Sequence, residues 1–142
     1  MNEKRKILIV DDNHALVVAA ERVLQKEGFD VLTALNGPEG LEKARADKPD
    51  LIILDILMPG MNGYEVCRRL QANPDTCGIP VIFLTVKGVV DEKRGASYEG
   101  LREINEAFDC GASDFLNKPI KARELIDVIN KTLSLHHLLS SK

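Results

Sequence analysis

The chain has 142 residues, 44% of them apolar and 29% charged, with a net charge of −3. That length suits one domain with a real core, and the charge balance excludes a general pull toward nucleic acid or acidic membranes. No apolar stretch approaches a membrane span and no signal-peptide core opens the chain, so the cytoplasm is the natural compartment. Cys67, Cys77 and Cys110 are odd in number and lack CxxC spacing, which indicates neither a disulfide framework nor a zinc site.

Lys4-Arg5-Lys6 reads as a solvated lead-in to the continuous apolar run Ile7-Leu8-Ile9-Val10, which Asp11-Asp12 closes. Leu16, Ala20, Val23 and Leu24 follow at helical spacing, and Gly28 is placed to end that helix. Phe29, Val31 and Thr33 alternate with weaker positions, as in a less buried edge strand. Asn36-Gly37-Pro38 turns into a helix with Leu41 and Ala44 on its inward face. Leu51-Ile52-Ile53-Leu54 is a strand buried on both faces, ending in Asp55 and a Pro/Gly/Asn turn. Asn62 can cap the next helix, with Glu65 in capping-box register and Val66 and Leu70 buried; Asn73-Pro74-Asp75 breaks it.

Val81-Ile82-Phe83-Leu84 is a third buried strand and ends in Thr85. Most of residues 87–100, polar and glycine-bearing, reads as an exposed loop. Leu101, Ile104 and Phe108 predict a fourth helix that Gly111 ends. Asp114-Phe115-Leu116-Asn117 is a short fifth strand leading to Lys118-Pro119. Leu125, Ile126, Ile129 and Leu133 line a fifth helix, and the apolar character continues through residues 135–139. The division expected is a domain over residues 1–134, then a tail or linker helix over 135–142.

Strands alternating with helices at this spacing predict βαβ units and a single α/β domain, a doubly wound parallel sheet of five strands with helices on both faces. The second and fifth strands look like edges, which fits the flavodoxin-like order 2-1-3-4-5. Four strands then end in Asp11-Asp12, Asp55, Thr85 and Lys118, and a parallel sheet puts those ends on one rim. Three crowded carboxylates call for a divalent cation, and hard oxygen ligands suit Mg2+. A carboxylate beside a metal, facing a hydroxyl and an ammonium, matches the demands of phosphoryl transfer. Each element alone has an ordinary reading: Asp-Asp as a helix cap, Thr85 as a turn hydroxyl, Lys118-Pro119 as a surface turn. Their joint occurrence outweighs those readings.

Ile9-Val10-Asp11-Asp12, the run from Leu54 to Gly63, Leu84-Thr85, and Asn117-Lys118-Pro119 after Gly111-Ala112-Ser113-Asp114 together resemble the response-regulator receiver domain (CheY-like) of bacterial two-component signalling. The resemblance implies a signalling switch rather than an enzyme, with Asp55 as phosphoacceptor and a histidine kinase as phosphodonor. It implies Mg2+ bound by Asp12 directly, by Asp11 mainly through water, by Asp55, and by the Leu57 backbone carbonyl. Thr85 would shift toward the phosphoryl group and Lys118 would pair with it. Phe115 would be the switch aromatic, coupling Thr85 to the face of the fourth helix, fifth strand and fifth helix, where an unidentified output partner or a second copy docks. The bond before Pro119 would be cis. No direct nucleic-acid contact and no membrane partner are implied.

Two features depart from the family pattern, one at Val86 and one in length. Val86 stands where a small residue is common, predicting slow phosphorylation by small donors. Leu57 and Lys87 fall where hydrolysis is tuned, and an apolar Leu57 predicts a long-lived phosphoryl group. The interval between Thr85 and Lys118 is longer than usual, and the excess falls in residues 87–100, read as a solvated loop or a partner contact. Rival folds fit less well. Asp11-Asp12 would repel a flavin phosphate, Val17 stands where a cobalamin D-x-H motif (Asp12-Asn13-His14) needs glycine, and Asp11-Asp12-Asn13-His14 does not supply the D-x-D of a haloacid-type phosphatase. A non-phosphorylated receiver-like protein-binding module is the remaining alternative.

Overall fold

The computed structural model of the chain describes residues 4–85, 90–91, 95–96 and 111–140. Its elements are β1 (Lys6–Val10), α1 (His14–Lys26), β2 (Asp30–Ala34), α2 (Gly37–Asp47), β3 (Leu51–Asp55), α3 (Gly63–Ala72), β4 (Val81–Thr85), two short strands β5 (Val90–Asp91) and β6 (Gly95–Ala96), then β7 (Asp114–Asn117) and α4 (Ala122–Ser140). The main sheet is parallel in the order β2-β1-β3-β4-β7, the predicted doubly wound arrangement.

The burial pattern explains the order. β3 and β4 are buried at every position and β1 at four of five, so these runs have no face that water could reach. Only the centre of a sheet covered on both sides accepts such strands. β2 and β7 keep exposed or half-buried positions and take the edges. Alternate side chains divide the core in two. Leu8, Val10, Ile52, Leu54, Val81 and Phe83 pack toward α2 and α3. Ile7, Ile9, Leu51, Ile53, Ile82 and Leu84 pack toward α1 and α4, where Leu24, Leu125, Ile129 and Leu133 meet them.

The first three helices begin on asparagine caps. Asn13, Asn36 and Asn62 each accept from the amide three residues on, at 3.2, 2.9 and 3.0 Å. These bonds satisfy amides that the first helical turn leaves without partners. Gly28 ends α1 at φ +92°, a conformation that costs other residues dearly.

Polarity predicted a loop over most of residues 87–100, but Val90–Asp91 pairs antiparallel with Gly95–Ala96. A ladder this short needs only backbone pairing, so side-chain polarity does not reveal it. Val86, Lys87, Cys110 and the predicted helix bearing Leu101, Ile104 and Phe108 lie outside the described residues. α4 continues past Leu133 to Ser140, with Leu135 and Leu138 exposed. Among the described residues, no helix is long and apolar enough to cross a membrane.

Candidate functional site

At the carboxyl rim of the sheet each central strand hands over to a polar residue in a fixed place. The Asp11 amide continues the β1 ladder by donating to the Ala34 carbonyl at 3.1 Å. Its side chain turns back, with Oδ1 accepting from the Asn13 amide at 2.9 Å. Asp55 ends β3, and the turn behind it is pinned where the Gly63 amide donates to the Ile56 carbonyl at 2.9 Å. Lys118 extends β7 by one more rung, its amide donating to the Thr85 carbonyl at 2.8 Å. The Lys118–Pro119 bond is cis.

These ends bring the acidic residues together. Asp11, Asp12 and Asp55 each offer an oxygen within 4.8 Å of the others. Asp11 and Asp55 are 0% and 1% exposed, whereas Asp12 faces solvent. The Lys118 ammonium lies 2.9 Å from Asp11 Oδ2 and 3.2 Å from Asp55 Oδ1. Both oxygens are buried, and among the described residues the Lys118 ammonium is the group that faces them. Such groups are costly to bury without a compensating charge.

The electrostatics follow from this crowding. Burial, then the Asp11 charge, raise the Asp55 carboxyl to a pKa of about 6, against a partial pull downward from Lys118. Burial draws the Lys118 ammonium down, but Asp11 and Asp55 outweigh it and the net shift is upward. Lys118 therefore stays charged at neutral pH, and it compensates one of two buried negative charges.

Thr85 is 7% exposed at the end of β4. Its hydroxyl donates to Asn117 Oδ1 at 2.7 Å, with the Leu116 carbonyl 3.5 Å away as a weaker acceptor. Phe115 is half-buried on β7, its ring 6.1 Å from that of Phe83, which in turn meets Tyr64 edge-on at 5.5 Å. Leu57, two residues past Asp55, exposes 55% of its surface. The structure thus gathers Asp11, Asp12, Asp55 and Lys118 into one cluster. Thr85 is tied to Asn117, and Phe115 sits on the face below.

Two contributions were not read from the sequence. In the sequence Asn117 is only part of a motif; its signal is register, since Thr85 and Asn117 are Cα partners across β4 and β7. In the sequence Gly63 reads as a turn residue. A Cβ there would run into the Asp55 carbonyl and lie 2.9 Å from Ile56 Cα, so only glycine lets α3 start this close to the end of β3.

A doubly wound sheet with an acidic cluster at its carboxyl rim, closed by a lysine from the last strand, defines a receiver-type signalling domain. The chain belongs to the response regulator receiver domain family, whose sequence pattern matches residues 7–130. It is 36% identical to protein PilH of Pseudomonas aeruginosa over 91% of this chain and 98% of that protein. It is 44% identical to response regulator PleD of Caulobacter vibrioides over 81% of this chain, but spans only 23% of PleD. Among solved structures, a putative response regulator from Chloroflexus aurantiacus superposes with a TM-score of 0.80 at 32% identity, covering 93% of this chain and 99% of that one. A CheY-like receiver domain protein from Methanospirillum hungatei gives 0.80 at 27% identity, covering 95% and 98%.

Proposed function

We propose that this receiver domain is switched by phosphorylation of Asp55, with a histidine kinase as donor. The observation that carries this reading is the pair of buried carboxylate oxygens on Asp11 and Asp55, held by one ammonium and, among the described residues, by no other group. Asp11, Asp12 and Asp55 form a hard oxygen donor set that fits Mg2+, and the family resemblance implies the Leu57 backbone carbonyl as a further ligand. When bound, that ion supplies the positive charge that neutralises carboxylate and phosphoryl oxygens together.

The remaining chemistry is the chain's own. An Asp55 oxygen attacks the phosphorus of a phosphohistidine; the new P–O bond forms as the P–N bond breaks, and the imidazole leaves with a proton from solvent. Lys118 pairs with the incoming phosphoryl oxygens from where it now holds Asp11 and Asp55. The Thr85 hydroxyl leaves Asn117 and donates to the phosphoryl group, and the space it vacates lets Phe115 turn inward. The changed surface is that of β7, α4 and the predicted fourth helix, which would meet an output domain, an output protein or a second copy. Receiver domains of this family are signalling switches, not classical enzymes. The further reading is a cytoplasmic domain over residues 1–134, with 135–142 as a linker or tail.

The test is incubation of the chain with Mg2+ and acetyl phosphate or a purified histidine kinase, followed by mass spectrometry. The expected product carries one acid-stable, base-labile phosphoryl group on Asp55, absent from Asp55→Asn and absent when EDTA is added. Phosphate uptake that survives Asp55→Asn overturns the assignment.

A further inference from the structure

The Thr85 hydroxyl has one proton, and in this structure it is given to Asn117. The 2.7 Å bond to Asn117 Oδ1 is short and the only other acceptor among the described residues, the Leu116 carbonyl, is 3.5 Å away. The contact is built into the register. Thr85 and Asn117 are paired across β4 and β7, so their side chains leave the same face of the sheet. The Lys118 amide anchors the Thr85 carbonyl beside them, fixing the backbone while the side chains stay free to exchange partners.

From this we infer that Asn117 is a latch on the resting state, a positioning residue that competes with the phosphoryl group for the Thr85 hydroxyl. The inference rests on the phosphoacceptor reading above. Burial makes the exchange asymmetric. Thr85 is nearly enclosed, so its hydroxyl needs an acceptor in either state. Asn117 is exposed, so its amide passes to water on release and the latch opens at small cost. Asn117 also shares its face of β7 with Phe115, two residues earlier, so release at one end of the strand and rotation at the other act on one surface. A net hydrogen bond of ordinary strength gives a latch that shifts the switching equilibrium about fivefold, enough to set a resting level without blocking activation.

The test measures binding of beryllofluoride, a phosphoryl mimic, in saturating Mg2+ to the wild type, Asn117→Val, Thr85→Val and the double variant. Valine suits a strand edge, so the fold is kept. The expected result is that Asn117→Val binds the mimic about fivefold more tightly than wild type, with Mg2+ affinity unchanged, and that the gain vanishes in the Thr85→Val background. Asn117→Gln, which keeps the acceptor, is expected to return part of the way to wild type. If the wild type binds the mimic and Asn117→Val binds no more tightly, or gains equally without Thr85, the latch is overturned and the phosphoacceptor reading stands. If none of the four proteins binds it, both fall.

Discussion

Lys118 places its ammonium 3.2 Å from Asp55 Oδ1, although β4 lies between the strands the two residues follow and end. The lysine stem crosses the rim because its own backbone is tied to Thr85 and its charge is drawn by two carboxylates. This contact offsets part of the cost of burying two carboxylates side by side, and it makes Lys118 a structural residue.

Lys118→Met keeps the length of the side chain and removes the charge. Two buried carboxylates then face each other without compensation, and breaking such a pair costs about 3 kcal/mol in the absence of metal. The expected outcome is a lower denaturation midpoint in EDTA. Adding Mg2+ should recover more stability in the variant than in the wild type, because the ion then does the work of both cations. Urea unfolding with and without Mg2+ measures this, and equal metal effects in the two proteins would contradict it.

Much of this was legible in the sequence because parallel sheets obey simple rules. Ile7-Leu8-Ile9-Val10, Leu51-Ile52-Ile53-Leu54 and Val81-Ile82-Phe83-Leu84 have no polar alternation, and strands of that kind lie only at the centre of a doubly wound sheet. Once three strands are central, their carboxyl ends are neighbours, and Asp11, Asp55 and Thr85 must share a rim. What sequence does not contain is the angle at which side chains leave that rim. Asp11 is enclosed and held by Lys118 while adjacent Asp12 faces solvent. The Thr85 hydroxyl points at Asn117. The β5–β6 ladder escaped for a similar reason, since backbone pairing leaves little trace in side-chain pattern.

Asp55 gives the chain a pH-dependent stability whose sign is opposite to that of a salt-bridged carboxylate. Its folded pKa is raised, chiefly by burial and next by Asp11, from the unfolded value of 3.8 to about 6. Its contribution is therefore fully present below the unfolded value and is lost as pH rises through about 6. The loss is of order 3 kcal/mol at most, from about two units at roughly 1.4 kcal/mol each. Asp55→Asn should accordingly be more stable than wild type near pH 7.5 in EDTA, with the advantage shrinking toward about pH 4.5. Chemical denaturation at the two pH values tests it. An advantage that grows on acidification would contradict the raised carboxyl.

Gly63→Ala adds one methyl group where none fits. The new Cβ meets the backbone of Asp55 and Ile56, which no side-chain rotation can relieve. Overpacking of this kind costs about 1–3 kcal/mol. Because the displaced backbone carries Asp55, Mg2+ affinity should weaken along with the thermal midpoint. Gly78→Ala, at a position with open space around its Cβ, is the control and should leave metal binding unchanged.

If Asp55 is phosphorylated as proposed, Leu57 is the residue expected to bear on how long the phosphoryl group lasts. It stands two residues past Asp55 and is more than half exposed, so its side chain lies at the surface instead of in the core. Hydrolysis of an acyl phosphate requires a water aligned opposite the departing carboxylate, and an isobutyl group offers that water no hydrogen bond. Leu57→Asn supplies an amide that both donates and accepts at the same place, and it sacrifices little packing because so much of the leucine already faces solvent. The expected outcome is a phosphoryl lifetime shortened several-fold with little change in stability. Decay of the phosphorylated chain, followed by mass spectrometry after the donor is removed, reads it directly. An unchanged lifetime would mean that access of water to Asp55 is controlled from elsewhere on the rim.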